Sequence, residues 1–293
     1  MSDAVADIRD VRAGKHHSGQ DRESRLGNGA GSLLLSVRDL KVVYPGRPPV
    51  VAVDQVSFEL FEGEVLGLVG ESGSGKSTVA KAVAGLLAPT SGEIIFDGNS
   101  MKPLGMAKRP VERTGIQMVF QDPTTSLNPR RRVGSQISDG LEVAAARKPE
   151  GGNRLSVEKW LERVGLSASD GNRFPRSFSG GQRQRIATAR ALATEPSLLI
   201  ADEPISSLDA STQARVAGIM CKLAAEQNTA LLFISHDLSI VRLIADRILV
   251  MYHGEIVESG PTQQVWNDPQ DGYTKRLLSS IPTPDGLGIL PSA

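Results

Sequence analysis

The residues best suited to chemistry stand in one short run, Gly70-Glu71-Ser72-Gly73-Ser74-Gly75-Lys76-Ser77-Thr78. It follows the apolar stretch Val65-Leu66-Gly67-Leu68-Val69 and opens onto a helical stretch, Lys76 to Leu86. The spacing fits GxxxxGK[ST], a loop that cradles phosphates. Glycines let the backbone curl so that successive N–H groups converge on phosphate oxygens. The start of the following helix adds the positive end of its dipole. Lys76 would bring a full charge to the β- and γ-phosphates, and the Ser77 hydroxyl an oxygen ligand for Mg²⁺. A glycine-rich turn can match by chance, but the strand before and the helix after are the context that the chemistry needs. Gly70, Ser72, Gly73, Ser74, Gly75, Lys76, Ser77 and Thr78 are therefore the candidate nucleotide-binding residues.

A second run, Leu198-Leu199-Ile200-Ala201-Asp202-Glu203, is an apolar strand that ends in two acids. Such a strand can simply end in a solvated turn. Beside a phosphate loop, Asp202 is instead a candidate to hold Mg²⁺, directly or through water. Glu203, pointing differently, could orient the attacking water. A third run, Ser177-Phe178-Ser179-Gly180-Gly181-Gln182-Arg183-Gln184-Arg185, joins a serine, two glycines and a helix start. These make an anion-binding edge. This run resembles the signature of the ABC ATPases, usually Leu-Ser-Gly-Gly-Gln, with Phe178 in place of Leu.

The resemblance implies that Ser179, Gly180, Gly181 and Gln182 reach the ATP of a second subunit in a head-to-tail dimer. It extends, in family order, from about Leu33 to Ile281. Tyr44, ahead of Pro45-Gly46, resembles the aromatic that stacks on adenine; as a strand aromatic it could equally belong to a core. Gln121 resembles the glutamine that senses Mg²⁺, water and the membrane subunit. Ser206-Ser207-Leu208-Asp209 resembles the D-loop, which brings Asp209 to the nucleotide. His236, closing Phe233-Ile234-Ser235, resembles the histidine that contacts the γ-phosphate, although a lone histidine is ordinarily structural. Glu203, His236 and Gln121 are thus the expected catalytic residues, with Ser77, Gln121 and Asp202 at the metal.

These groups need a rigid frame. Val65–Val69, Leu198–Ala201 and Ala230–Ile234 are nearly continuous apolar runs, which suit parallel strands covered on both faces; Ile116–Phe120 is similar. Helical stretches follow several of them, at Lys76–Leu86, Ser211–Gln227 and Leu238–Ala245, which predicts an α/β fold with a mostly parallel sheet. Leu35–Leu40 and Val56–Leu60 alternate apolar with polar and predict a separate antiparallel β layer. Residues 123–180 have a helical period instead and predict an inserted helical subdomain. Ile248–Met251 and Glu255–Val257 flank a turn at His253-Gly254. The expected organisation is a disordered tail at 1–31, one ABC ATPase domain at 32–281, and a short tail at 282–293.

Lys plus Arg and Asp plus Glu both number 33, so the zero net charge argues against a general nucleic-acid binder. The single cysteine, Cys221, excludes an intramolecular disulfide and a cysteine-held cluster. It lies in the apolar stripe of a helical stretch and reads as a buried structural thiol. No run of 18 apolar residues occurs, and Met1–Val5 does not read as a secretory signal.

Gln121-Asp122-Pro123-Thr124-Thr125-Ser126-Leu127-Asn128-Pro129-Arg130 resembles a string typical of oligopeptide and dipeptide importer ATPases. Residues 267–278 resemble their HPYTxxLL ending, with Asp271-Gly272 where His-Pro is usual. The resemblance implies ATP and Mg²⁺ as cofactors. As partners it implies a second, different ATPase chain, two transmembrane permease subunits and an extracytoplasmic binding protein. The chain would then sit at the cytoplasmic face of the membrane. Relatives with an iron–sulfur segment carry cysteines near the C-terminus; here none follows Cys221, so no such cluster is expected. Ser126, Leu127 and Arg130 are expected to lie on the surface that receives the membrane subunits. A soluble ABC ATPase acting on nucleic acid or ribosomes is the alternative. Its usual marks are fused cassettes, a coiled coil or zinc fingers, and the sequence has none of them.

Overall fold

A computed structural model describes residues 31–104, 110–122, 126–148, 155–206 and 208–281. The expected tails fall outside these, save for Gly31, as do Pro123 to Thr125 and Ser207. The fold is α/β, with two sheets among the described residues. In one, β1 (Leu33–Tyr44), β2 (Val50–Phe61), β4 (Ser91–Phe96) and β5 (Asn99–Ser100) lie in the order β2-β1-β4-β5. The pair foreseen from alternation is antiparallel, with Leu35 opposite Leu60 and Leu40 opposite Val56.

The second sheet has the order β10-β9-β3-β8-β7-β6. Its strands are β3 (Val65–Val69), β6 (Ile116–Val119), β7 (Leu198–Asp202), β8 (Ala230–Ser235), β9 (Arg247–Tyr252) and β10 (Glu255–Pro261). The strands from β9 through β6 run parallel, and β10 turns back antiparallel on β9 at the edge. The apolar runs have a simple cause. Leu198 and Ile200 of β7, with Leu232 and Ile234 of β8, enter the core under the antiparallel layer. Their neighbours Leu199, Ala201, Leu231 and Phe233 enter the opposite core, under the helices. Both faces are covered, so the strands are apolar up to their carboxyl ends, where Asp202 and Ser235 stand.

The helices are α1 (Lys76–Val83), α2 (Val133–Arg147), α3 (Val157–Arg163), α4 (Gly180–Leu192), α5 (Ala210–Glu226), α6 (Leu238–Ile244), α7 (Thr262–Asn267) and α8 (Gly272–Ser279). Ser156, Ser179, Asp209, Asp237 and Asp271 cap α3, α4, α5, α6 and α8 by accepting from backbone N–H groups of the first turn. Between Gln121 and the signature run stand α2 and α3, as the helical period predicts. Ile137, Trp160, Leu161 and Val164 are buried there with Ile186 of α4. β4, β5 and the full length of α2 were not expected from the sequence. Cys221 is half-buried on α5 against that core.

Candidate active site

Every catalytic candidate follows the carboxyl end of a parallel strand. The phosphate loop follows β3, Gln121 follows β6, Asp202 ends β7 with Glu203 next, and His236 follows β8. The register keeps these ends level: Val69 pairs Ser235 and Val250, Asp202 pairs Ile234, and Val119 pairs Ala201. The chain leaves β3 for the far edge at β6 and returns through β7 and β8. It then crosses to β9 on the other side of β3. Such a switch in direction opens a crevice at the strand ends, where α/β folds bind ligands.

The loop itself depends on its glycines. Gly70, Gly73 and Gly75 have φ of 149°, 82° and 109°. A Cβ at Gly75 would lie 2.3 Å from the Ala52 carbonyl oxygen, and one at Gly70 would lie 2.1 Å from that of Met251. The loop therefore rests directly on the backbone of both sheets. Lys76 is 3% exposed. Its Nζ donates to the carbonyl oxygens of Gly70 and Glu71 at 2.8 and 2.7 Å and reaches Ser74 Oγ at 3.5 Å. Burial pulls the Lys76 ammonium below its ordinary pKa, while Glu203, Asp202 and Glu71 oppose that shift.

Ser77 Oγ donates to Asp202 Oδ1 at 2.8 Å, so two of the candidate metal ligands already touch. Burial raises the Asp202 carboxyl above the usual range, and Glu203 raises it further. The Ser77 hydrogen bond, Lys81 and Lys76 counter that shift. A buried carboxylate facing a second acid suits a place where a cation or a lysine supplies the missing charge. Among the described residues no group of three His, Cys, Asp or Glu could hold a metal ion. An ion here would thus depend on Ser77, Asp202 and oxygens brought by a ligand, which is the way Mg²⁺ is usually held.

Glu203 stands in the left-handed region, at φ 46°, a strain of about 1–3 kcal/mol for a residue with a Cβ. Its N–H donates to the Ile234 carbonyl at 3.0 Å, fixing that twist against β8. The carboxylate then meets Gln121 Nε2 at 3.3 Å and His236 Nδ1 at 3.4 Å. Gln121 Nε2 also donates to Ser206 Oγ at 3.1 Å, and that hydroxyl donates to the Glu203 carbonyl at 3.2 Å. The other two expected catalytic residues, Gln121 and His236, converge on the Glu203 carboxylate. An amide donor and an imidazole beside it leave the carboxylate able to accept a proton from, or orient, a water. Ser206 was not singled out from sequence; its place in the D-loop run was the available signal.

The remaining candidates fall into separate groups. Tyr44 ends β1 at 37% exposure, so it is no core aromatic, and its hydroxyl lies 3.4 Å from Thr78 Oγ1. Ser72 and Gly73 are exposed at the tip of the phosphate loop. Ser179 and Gln182 are engaged with each other: the serine hydroxyl accepts from Gln182 N at 3.3 Å, and Gln182 Oε1 accepts from Ser179 N at 2.9 Å. Gly180 and Gly181 form the first turn of α4 beside them. Asp209 caps α5, accepting from Thr212 N at 3.0 Å and from the Ser211 hydroxyl at 2.6 Å. Those donors hold its carboxyl well below the usual range. One surface expectation is corrected: Leu127 is 2% exposed, packed in the helix-side core rather than presented to a partner. The Ser126 carbonyl accepts from Arg190, and Arg130 remains exposed.

Comparison with known proteins agrees with this geometry. The profile of the ABC transporter family matches residues 53–206, over half of the chain. The oligopeptide transport ATP-binding protein OppF of Bacillus subtilis is 48% identical over 255 residues, covering 86% of this chain and 83% of that one. The dipeptide transport ATP-binding protein DppF of Lactococcus lactis is 48% identical over 238 residues, covering 80% and 76%. Among solved structures, an ATP-binding cassette captured as a post-hydrolysis dimer bound to ADP and Pi superposes with a TM-score of 0.65. It is 25% identical, with 78% of this chain and 99% of that one covered. Motifs, strand-end geometry and relatives agree, and the chain belongs to the ABC transporter family.

Proposed function

We propose that this chain is the ATP-hydrolysing subunit of a peptide importer, working at the cytoplasmic face of a membrane. The observation that carries the reading is the meeting of Gln121, His236 and Ser206 around Glu203, next to the Ser77–Asp202 pair. Oligopeptide and dipeptide transport in the names of the relatives supports the substrate class. Among the described residues no helix is long and apolar enough to cross a membrane, which fits a subunit held there by permease chains.

In this reading Tyr44 stacks on the adenine and the phosphate-loop N–H groups wrap the phosphates. Lys76 neutralises the β- and γ-phosphates. Ser77 and Asp202 would hold Mg²⁺, with Gln121 as the third expected ligand. When bound, the ion offsets the charge that builds on the phosphate oxygens. Glu203 orients the attacking water and takes its proton, while His236 faces the γ-phosphate. The residues Ser179 to Gln182 close over the ATP of a second ATPase chain, with Asp209 at the same interface; the dimeric form of the solved cassette supports this. Two permease subunits and an extracytoplasmic binding protein complete the transporter.

The test is transport in vesicles that carry the complete complex. Glu203→Gln is expected to keep ATP binding while hydrolysis and uptake of a labelled oligopeptide fall together, on the order of 10²-fold or more. Hydrolysis at the wild-type rate would refute the role of Glu203. Normal hydrolysis by the wild-type complex that no peptide stimulates would refute the substrate class.

A further inference from the structure

Helix α8 enters the nucleotide site through one side chain. Tyr273 is 5% exposed in the first turn of α8. Three contacts leave it little freedom. Its own N–H donates to Asp271 Oδ1 at 2.7 Å. The loop before it is strapped to β10, because Glu258 accepts from Gln270 N at 2.8 Å and from Asp271 N at 3.1 Å. The ring lies nearly flat on Tyr252 at the end of β9, with centroids 4.1 Å apart and planes at 28°. So fixed, the hydroxyl accepts from the N–H of Glu71, 202 positions earlier in the chain, at 2.9 Å.

That N–H belongs to the peptide unit whose carbonyl is Gly70 O. In a trans peptide the N–H and C=O point to opposite sides, and Gly70 O is what Lys76 Nζ grips at 2.8 Å. The tyrosine hydroxyl and the lysine ammonium therefore hold one peptide plane by its two edges. Gly70, at φ 149°, has no side chain to set the orientation of that plane. We propose that Tyr273 is a positioning residue for Lys76: its hydroxyl fixes the 70–71 peptide, whose carbonyl aims the ammonium at the phosphates. This inference rests on the phosphate-loop reading of Lys76. It makes the C-terminal helix part of the nucleotide site, although none of its atoms needs to touch ATP.

Tyr273→Phe keeps the ring and its stack and removes only the hydroxyl. In the full chain with Mg-ATP, KM is expected to rise about three- to tenfold, the worth of one hydrogen bond. Turnover should stay within about twofold, and the thermal midpoint without nucleotide should fall by only a few degrees, since the same bond is lost in the free chain. Amide exchange at Glu71 should accelerate by a similar factor. Tyr273→Leu, which also loses the stack, should show the same KM shift with a lower midpoint. An unchanged KM in Tyr273→Phe would overturn the inference. So would a loss of turnover that follows a fallen midpoint, since that is a structural role only. Lys76→Ala separates the two claims: if it binds ATP as the wild type does, the phosphate-loop reading itself fails. If it loses binding while Tyr273→Phe does not, only the role of Tyr273 fails.

Discussion

Two glycines of the phosphate loop offer a controlled test of what holds it in shape. Gly73 and Gly75 share a positive φ, 82° and 109°, but differ in surroundings. A Cβ at Gly73 meets nothing within 4 Å, whereas one at Gly75 lies 2.3 Å from the Ala52 carbonyl oxygen and 2.6 Å from Met251 Cε. Gly73→Ala therefore adds conformational strain alone, about 1–3 kcal/mol. Gly75→Ala adds the same strain and must also push the backbone of β2 aside, a further cost of about 1–3 kcal/mol. At roughly 2–4 °C per kcal/mol for a domain of this size, the first lowers the thermal midpoint by a few degrees and the second on the order of 10 °C. Circular dichroism melts without nucleotide, with chemical denaturation as a second measure, read the difference. Equal shifts for the two variants, or the larger one at Gly73, would refute the claim that contact with the Ala52 backbone sets the loop.

Asp202 is raised by burial, so the folded chain holds its proton more tightly than the unfolded one. Stability without nucleotide should then fall as pH rises through the range just above the ordinary carboxylate value, roughly 4. Asp202→Asn should lessen that fall and raise the midpoint at neutral pH by a few degrees, while hydrolysis is lost; melts of both proteins across pH check the sign. Tyr44→Ala should weaken ATP binding about two- to tenfold, the worth of an aromatic stack, without a shift in midpoint; titration with ATP measures it. Leu127→Ala should cost about 2–5 kcal/mol through the cavity it leaves, seen in denaturant melts, whereas Arg130→Ala should leave stability within about 0.5 kcal/mol.

The phosphate loop was legible because its chemistry is local: nine consecutive residues carry the glycines, the lysine and the hydroxyl. The inner strands were legible for a similar reason, since burial on both faces forces an unbroken apolar run. β4 was not, because only Ile94 and Phe96 of its six residues are buried and its first half is exposed. Leu127 misled because it stands among polar and basic neighbours, while the core cluster it joins is built from residues distant in sequence. The resemblance placed Gln121 near Mg²⁺ and water, and its contact with Glu203 came only with the fold. The tie from Tyr273 to Glu71 leaves no trace in spacing, for it joins residues 202 apart.

The alternation of β7 and β8 between two cores has a consequence for how substitutions combine. Leu198 and Leu199 are joined by a peptide bond, yet one packs under the antiparallel layer and the other under the helices. Leu199 shares its compartment with Trp160, and Leu198 shares its own with Leu35. Energetic proximity in this chain is therefore set by the side of the sheet and not by place in the sequence. Changes at adjacent positions 198 and 199 should combine almost as independent sites, whereas changes that share a compartment can compensate for one another. The sheet divides the interior into two separately tunable halves, and the candidate catalytic groups hang from the rim that both halves support.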